Sequence, residues 1–196
     1  IIARGLLAFG LTDGLLWSGI VTFAAMVPRL FATPISGFLA DRFDRQKLLR
    51  WIFALNMGNN ILLALLVMTG LVGPWVLTLL ALVNGTLRAS QMTTATALIP
   101  NLVPKEYLMN AIALNQATQQ GARLAGAMAI APLLGLVNIE SAFWLCSGLY
   151  FLGFLQVSQM TTRSTGVIDK SQGFWTNMFE GFVYVYKRPI IMSMVL

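Results

Sequence analysis

The residues best able to do chemistry in this chain are arginines and side-chain amides set at helical spacing. Asn84, Arg88 and Gln91 fall at positions i, i+4 and i+7, so they share one face of an otherwise apolar helix. A guanidinium stays protonated, so Arg88 can hold an anionic substrate or lower the pKa of a facing carboxylate, but it cannot itself carry a proton. The stripe is predicted to line a cavity. The alternative is that Arg88 lies near the cytoplasmic end of its helix and only anchors it.

A second stripe has the same character. Asn115, Gln119 and Arg123 fall at i, i+4 and i+8 of a later helix, and Arg29 lies about midway along an earlier apolar run. A charge facing lipid there would cost about 2.5–3.5 kcal/mol on insertion scales. Arg29 is therefore expected to face a cavity, unless it snorkels or pairs structurally. With the first stripe, these residues are the candidates for contact with a substrate or a coupling ion.

Three asparagines form a further polar face. Asn56, Asn59 and Asn60 are spaced i, i+3 and i+4, so they lie together on one helix. Amides in hydrocarbon usually form hydrogen bonds to another helix. That structural role is the favoured interpretation, and direct contact with a substrate is the alternative.

Groups for catalysis are nearly absent. The chain has no histidine, and no glycine-rich phosphate loop follows a strand. The single cysteine, Cys146, lies in an apolar run and is expected to be a small buried side chain. The seven acids fall in loops, at helix ends or in an interfacial segment: Asp13, Asp41, Asp44, Glu106, Glu140, Asp169 and Glu180. An enzyme needs a positioned acid, base or nucleophile, so this chain is predicted to be no enzyme and to hold no metal or cofactor.

Composition places these residues in a membrane. Of 196 residues, 57% are hydrophobic and 10% charged, whereas a soluble domain has about 25% charged residues. Several apolar runs approach the roughly 20 residues that span a bilayer. The net charge is +6. Because the basic residues lie mostly in loops beside apolar runs, they indicate membrane topology, and no nucleic-acid partner is predicted.

The apolar runs predict the tail of one helix, five whole helices and the beginning of another. The predicted helices cover about 15–39, 51–69, 75–94, a run after residue 104, and a run that ends near 158. Turns are predicted at 10–14, 70–74 and 137–141, and a loop broken by Pro100 and Pro104 is predicted at 97–106.

A short charged hinge at 37–49, GFLADRFDRQKLL, lies between two long apolar runs. Charge this dense in so apolar a chain indicates a loop in water that joins two membrane helices. The hinge resembles the signature of major facilitator superfamily transporters, Gly-x-Leu-Ala-Asp-Arg-x-Gly-Arg-Lys-x-x-Leu. Asp44 stands at the second glycine, and Lys47 comes one place late. The form ADRFDR and the stretch 97–127 look like the branch containing macrolide-efflux and enterobactin-exporter proteins.

The resemblance implies an all-α fold, a polytopic transmembrane helix bundle that forms the N-terminal six-helix half of a twelve-helix major facilitator fold. It implies a secondary active transporter that exports small molecules by alternating access. The implied partners are a small-molecule substrate, the lipid bilayer and the missing C-terminal half of the same chain. The rival interpretation is a non-transporting membrane sensor or assembly protein on the same scaffold, and an intramembrane enzyme is a distant third.

The resemblance also implies a conformational gating motif in the hinge. Its members are Gly37, Asp41, Arg42, Arg45 and Lys47. In the family, the matching aspartate and arginines make charge contacts that hold the two halves together on the cytoplasmic side, and the matching glycine lets the helix end approach its neighbour. Asp41 is expected at a helix end, where an acid needs a positive partner, although a solvated acid without a specific contact is the alternative.

Small residues in the helix predicted after residue 104 indicate close helix packing. Gly121, Ala122 and Gly126 allow another backbone to approach. Many antiporters of the superfamily read Gly-x-x-x-Gly-Pro in this region, and Ala127 stands where the proline would be.

Basic loops predict the orientation. Among the connecting segments, the loops at 41–50, 97–106 and 161–188 carry lysines or arginines, and the turns at 70–74 and 137–141 carry none. By the positive-inside rule the basic loops are cytoplasmic, in a multi-pass protein of the cell inner (plasma) membrane. The predicted domains are a transmembrane bundle at 1–160, a cytoplasmic linker with an interfacial helix at 161–188, and the start of a seventh helix at 189–196.

Overall fold

Apolar helices joined by short turns make up the described chain. The computed structural model describes residues 2–12, 15–136 and 139–160. The helices are α1 (Ile2–Thr12), α2 (Leu15–Met26), α3 (Pro28–Arg42), α4 (Arg45–Met68), α5 (Pro74–Leu102), α6 (Leu108–Leu136) and α7 (Ile139–Gln159), with a 3-10 turn at Lys105–Tyr107. These residues contain no strand, and the predicted all-α helix bundle is confirmed.

The helix predicted at 15–39 is observed as α2 and α3, which form one span with a local interruption of its hydrogen bonds near the middle. Pro28 has no N–H to donate, so the regular hydrogen-bond pattern is interrupted at Val27. Val27 keeps α-helical angles, φ −52° and ψ −44°, and Pro34 lies inside α3 without ending it. Leu16–Ala40 therefore forms a continuous apolar span of 25 residues.

The charged hinge at 37–49 is mostly helical, which corrects the expectation of a loop. Only Phe43 and Asp44 separate α3 from α4. The Asp44 carboxylate accepts hydrogen bonds from the backbone N–H groups of Gln46 (3.0 Å) and Lys47 (3.3 Å), and so caps α4. Because of this cap, α4 begins inside the hinge rather than after it.

The turn predicted at 70–74 is confirmed between α4 and α5. Gly70 has φ +68°, a conformation that glycine adopts without steric cost. Its N–H bonds to the carbonyl of Val67 (3.1 Å), and the Leu71 N–H bonds to that of Leu66 (3.1 Å). These are the two hydrogen bonds of a Schellman motif, which ends α4 sharply.

The loop predicted at 97–106 was wrong in where it begins. α5 stays helical through Pro100 to Leu102. A proline inside a membrane helix removes one hydrogen bond, and neighbouring groups can compensate for it. The helix ends instead at Val103, which is extended (φ −129°, ψ 136°) because the ring of Pro104 disfavours the α region for the residue before it.

Small side chains let α1, α2, α4, α5 and α7 pack closely. The main apolar core contains Ala3, Leu7, Ala8, Val21, Ala25, Leu63, Ala64, Val72, Leu77, Leu80, Ala81, Ala142 and Phe143. The closest approach is at Gly85 of α5, where a Cβ would overlap the backbone of Ala25 on α2. A second cluster, nearer the hinge, joins Leu49, Leu98 and Val157. Contact between α2 and α5 therefore depends on the missing side chain at Gly85.

The outer faces of the bundle suit lipid. Three described segments are long and apolar enough to cross a membrane: Leu16–Ala40, Arg45–Met68 and Ile139–Gln159. Large apolar side chains are exposed on them, among them Leu16, Phe23, Leu30, Trp51 and Met68. Apolar exposure on this scale marks a surface that contacts membrane or protein.

Part of the predicted organisation lies outside the described residues. This applies to the linker at 161–188, to the helix start at 189–196, and to residues 13–14 of the first turn. The turn predicted at 137–141 is partly described, since α6 ends at Leu136 and α7 begins at Ile139.

Candidate functional site

A cavity of about 600 Å³ lies where α5, α6 and α7 face one another, with one side chain from α4. We call it the α5–α7 cavity. The described lining residues are Phe53, Arg88, Gln91, Met92, Ala95, Asn115, Gln119, Ala122, Arg123, Cys146, Leu149 and Tyr150. Its volume falls in the range of about 300–1,000 Å³ that is typical of small-molecule sites.

Both polar stripes reach this cavity. Arg88 and Gln91 line it from α5, and Asn115, Gln119 and Arg123 line it from α6. Helical spacing placed each set on one face of its own helix. The packing of the helices then turned the two faces toward the same space. Substrate contact by these residues stays a prediction.

Most polar side chains of the cavity have no hydrogen-bond partner among the residues that the structure describes. Within the described part of the chain, no hydrogen bond is formed by the side chains of Arg88, Gln91, Asn115 and Gln119. Arg123 donates from Nη1 to Oε1 of Gln120 on its own helix, at 3.0 Å. Polar groups inside a membrane protein are costly unless they face water, a partner or a ligand. Side chains left open in this way are available to a bound molecule.

Six lining residues were not among the predicted site residues: Phe53, Met92, Ala95, Cys146, Leu149 and Tyr150. Tyr150 lies within electrostatic reach of Arg88 and Arg4, and its ring meets that of Phe53 edge to face at 6.0 Å. Cys146, expected to be buried, is half-buried at the cavity wall. A hydroxyl inside an apolar run was a usable signal for Tyr150. Phe53 had no such signal, because apolar side chains fill every span.

A buried arginine on α1 was also missed. Arg4 is 4% exposed and donates from Nη1 to the Leu80 carbonyl (2.7 Å) and from Nη2 to Oδ1 of Asn60 (3.5 Å). The chain IIARGLLAFGL carried the same signal as Arg29, a charge within an apolar run. Its partners lie on α4 and α5, which the sequence does not reveal.

The asparagines extend this polar interior. Asn59 donates to the Leu80 carbonyl at 3.4 Å, and Asn84 donates to Oδ1 of Asn56 at 3.2 Å. The predicted role of Asn56, Asn59 and Asn60 in bonding to other helices is thereby confirmed. We call the set Arg4, Asn56, Asn59, Asn60 and Asn84 the Arg4–asparagine network.

Asn84 therefore lies apart from the rest of its stripe. It shares a helix face with Arg88 and Gln91, but it lies one turn before Arg88 in α5, about 6 Å away along the helix axis at 1.5 Å per residue. At that level α4 closes against α5, and Asn84 bonds to Asn56 instead of lining the cavity. Position along the helix, rather than the face, separates the two roles.

Arg29 faces a different space. It lines a second pocket of about 570 Å³ between α3 and α5, with Thr33, Thr93 and Thr96 among its neighbours. The expectation that Arg29 faces a cavity fits its place, but the structure does not bring it to the α5–α7 cavity.

Arg45 is the best-connected member of the predicted gating motif. It donates from Nε to the Ala40 carbonyl (3.0 Å) and from Nη1 to the Ala97 carbonyl (2.6 Å). Arg45 thus joins the end of α3 and the start of α4 to the last turns of α5. The gating role itself stays a prediction.

The other members of the motif are less constrained. Arg42 is exposed, with its guanidinium 5.8 Å from the centre of the Phe38 ring, and the Lys47 side chain is exposed. Asp41 lies in the last turn of α3, and its side chain is outside the description. A Cβ at Gly37 would meet the Thr93 methyl at 3.9 Å, an ordinary contact, and no described backbone atom of another helix lies closer to it.

Two unpredicted residues join the hinge to the end of α7. Gln46, which is buried, donates from Nε2 to the carbonyls of Val157 (3.0 Å) and Met160, and Arg50 donates from Nη2 to that of Ser158 (3.2 Å). The last carbonyls of a helix lack intrahelical partners, and a cation is favourable beside them. The hinge end of α4 therefore caps α7.

The predicted packing stripe on α6 meets no other helix among the described residues. A Cβ at Gly121 or Gly126 would have nothing within 4 Å, and Ala122 lines the α5–α7 cavity. Close packing at these positions stays a prediction.

Comparison with known proteins gives two matches. A family model described as "Transmembrane secretion effector" matches residues 4–195. The chain is also 21% identical over 193 residues to the uncharacterized MFS-type transporter YfiS of Bacillus subtilis (strain 168), where MFS denotes the major facilitator superfamily. That alignment covers 96% of this chain and 45% of the relative, so the chain spans about half the length of the curated protein it matches.

Proposed function

Because the chain belongs to the transmembrane secretion effector family of the major facilitator superfamily, we propose that it forms part of a membrane transporter that exports small molecules by alternating access. The family description supports export as the direction. The macrolide-efflux and enterobactin-exporter branch remains the proposed subgroup, on the strength of the hinge form ADRFDR and the stretch 97–127.

The observation that carries the proposal is the α5–α7 cavity. It gathers guanidinium and amide groups from α5 and α6 inside a helix bundle with membrane-spanning segments, and most of these groups have no hydrogen-bond partner in the described chain. Such groups are rare in membrane segments and mark substrate or ion pathways. Substrate held there would be released when the bundle rocks against a second half, as in the alternating-access scheme of this fold.

The proposed orientation places the basic loops in the cytoplasm of a multi-pass inner-membrane protein. The hydrogen bonds of Arg45 and Gln46 support it, because they bring the hinge, the end of α5 and the end of α7 to the same end of the bundle. A cysteine introduced at Lys47, which is exposed, should react with an impermeant reagent only from the cytoplasmic side. Reaction at this position from outside intact cells would refute the orientation.

The hinge is the proposed gate. Arg45 bonds to two carbonyls on α3 and α5, so it can transmit a movement of α4 to both neighbours. Asp41 and Arg42 are proposed to contact the second half of the transporter when the cytoplasmic side closes. In Asp41→Asn we expect a severalfold rise in the accessibility of cytoplasmic cysteines, since an exposed charge contact contributes about 1 kcal/mol. Unchanged accessibility together with unchanged transport would exclude this role.

Transport by an Arg88 variant tests the function directly. The protein, expressed from its complete natural reading frame, should lower the cellular accumulation of at least one small molecule in a host lacking its own exporters. Arg88→Ala should restore that accumulation while membrane abundance stays near wild type. Arg88→Lys keeps the charge but loses the planar fork, so it should retain part of the transport.

Two outcomes would count against the proposal. If no compound in a chemically diverse panel changes its accumulation on expression, the transport function fails. If Arg88→Ala lowers abundance but leaves transport per molecule normal, Arg88 is a structural anchor and the cavity is not the pathway.

A further inference from the structure

The charged residues that line the α5–α7 cavity in the described part of the chain are all cationic. Arg88 and Arg123 line it, and no carboxylate lines it among the described residues. Arg4 adds a third, buried cation that lies within electrostatic reach of Tyr150 on the cavity wall. Fixed charges of one sign in low-dielectric walls concentrate the field and attract ligands of the opposite sign.

Among the described residues, no ion pair neutralises the cations in or near the cavity. Arg88 has no hydrogen bond or ion pair within the described part of the chain, and Arg4 bonds only to a carbonyl and an amide oxygen. Arg88 is half-buried, and a cation within a membrane bundle is costly unless water or a negative group compensates it. An anionic ligand would supply that compensation, and the Arg88 guanidinium could hold a carboxylate by two parallel hydrogen bonds.

The rest of the lining is apolar and aromatic. Phe53, Met92 and Leu149 face the cavity, together with the ring of Tyr150. A pocket with a few convergent polar groups on an apolar wall orients a ligand by its polar end and buries its apolar body. The two parts of the wall therefore fit the two parts of an amphipathic molecule.

We propose that the α5–α7 cavity selects small organic anions with an aromatic or apolar body, the acidic group bound by Arg88 and Arg123 and the body held against Phe53, Met92 and Leu149. This inference rests on the proposed function, because it names the substrate class of the same cavity. The ligand's acidic group is an oxyanion. A free solute could supply it as a carboxylate, and an anionic lipid could supply it as a phosphate.

Equilibrium binding to the full protein in phosphatidylcholine nanodiscs tests this at neutral pH. The probes are 2-naphthoate, 2-naphthamide and 2-naphthylmethylamine, which share one ring system and carry negative, zero and positive charge. The naphthoate Kd should be lower than that of the amide by about tenfold, the effect of one charge-assisted hydrogen-bonded pair. The amine should bind weakest. Equal affinity for naphthoate and the amide would overturn the proposal.

Variants separate the site from general attraction to a basic protein. Arg88→Gln and Arg123→Gln should each reduce the preference for naphthoate over the amide to about twofold or less. Lys105→Gln removes an exposed positive charge at the 3-10 turn and should leave the preference intact. A preference that persists in Arg88→Gln, or falls equally in Lys105→Gln, would refute binding in this cavity.

A lipid arm identifies the source of the anion. If phosphatidylglycerol in the nanodisc displaces naphthoate from the wild type, the cavity is a lipid site, and selection of a free solute is overturned. If naphthoate binding persists, a soluble anion is the ligand.

Failure of this inference is distinct from failure of transport, because the binding measurement needs no turnover. If the protein binds anions selectively but exports no compound, the export function is refuted and the anion site in the α5–α7 cavity is supported. If the protein exports a neutral or cationic compound and binds the three probes with equal affinity, the anion site is refuted and the export function is supported.

Discussion

The Arg4–asparagine network and the α5–α7 cavity are built from the same residue types and differ in how their hydrogen bonds are used. In the network, Arg4, Asn59 and Asn84 each donate to a group on another helix. In the cavity, Arg88 and its neighbouring amides donate to no described protein group. Arginine and amide side chains in a membrane helix can therefore either hold helices together or bind a ligand. Which role they take depends on whether another helix offers them hydrogen-bond partners.

Backbone packing also differs between the two regions: it is tight at the Arg4–asparagine network and loose at the α5–α7 cavity. Gly85 lies next to network residue Asn84 and lets α5 touch the backbone of Ala25. Gly121 lies on α6 between cavity residues and has open space around it. The network lies where α4 and α5 pack extensively, and the cavity lies where α6 packs only sparsely against α5 and α7. This contrast can be broken at three levels.

The largest effect is expected from adding one methyl group. Gly85→Ala should destabilise the protein by about 3 kcal/mol, because the new Cβ overlaps backbone that must move. Gly121→Ala should be neutral or stabilising by about 0.5–1 kcal/mol, since alanine favours a helix more than glycine does and nothing crowds the site. The apparent Tm of the purified variants compares them. A tolerated Gly85→Ala would show that α2 and α5 are not in backbone contact.

An intermediate effect is expected from the arginines. Arg4→Met keeps the apolar stem and removes the hydrogen bonds to Leu80 and Asn60, so the apparent Tm should fall by the equivalent of about 1–3 kcal/mol. Arg88→Met should leave the apparent Tm unchanged or raised, because Arg88 forms no hydrogen bond to the part of the chain that the structure describes. A rise in Tm for Arg4→Met would mean that the desolvation of its charge outweighs its hydrogen bonds.

The smallest effect is expected from amide pairs. In a double-mutant cycle, Asn56→Leu and Asn84→Leu should couple by about 0.6 kcal/mol, the average for hydrogen bonds between membrane helices. The same cycle on Gln91 and Asn115, which share the cavity without bonding, should give a coupling within about 0.3–0.5 kcal/mol of zero. Equal coupling in the two cycles would erase the distinction between network and cavity.

Several features of the fold could be predicted because their causes are local. Hydropathy and loop charge indicated the membrane bundle, which the all-α structure and the family match bear out. The turn at Gly70 follows from the ease with which glycine adopts positive φ. Helical spacing placed Arg88 and Arg123 on polar faces, and both line the cavity.

Other features of the helix ends were mispredicted because neighbours decide them. Charge at 37–49 suggested a loop, but the Asp44 carboxylate caps α4 within it. Pro100 suggested a helix end, but α5 continues to the extended residue before Pro104. In each case, a hydrogen bond or a steric clash involving adjacent residues overrode the general tendency of the residue type.

By itself, the sequence determined which segments are apolar, which faces of them are polar and where the chain can turn, because these depend on residues within a few positions of one another. Only the tertiary structure decided which polar groups are satisfied. Arg4 and Leu80 are 76 positions apart, and their hydrogen bond exists because α1 packs against α5. Arg88 is left open because the described side chains of α6 and α7 that share its cavity form no hydrogen bond with it. Contacts between distant segments depend on how whole helices pack. The packing gave Arg4 hydrogen-bond partners on other helices and left Arg88 available to a ligand.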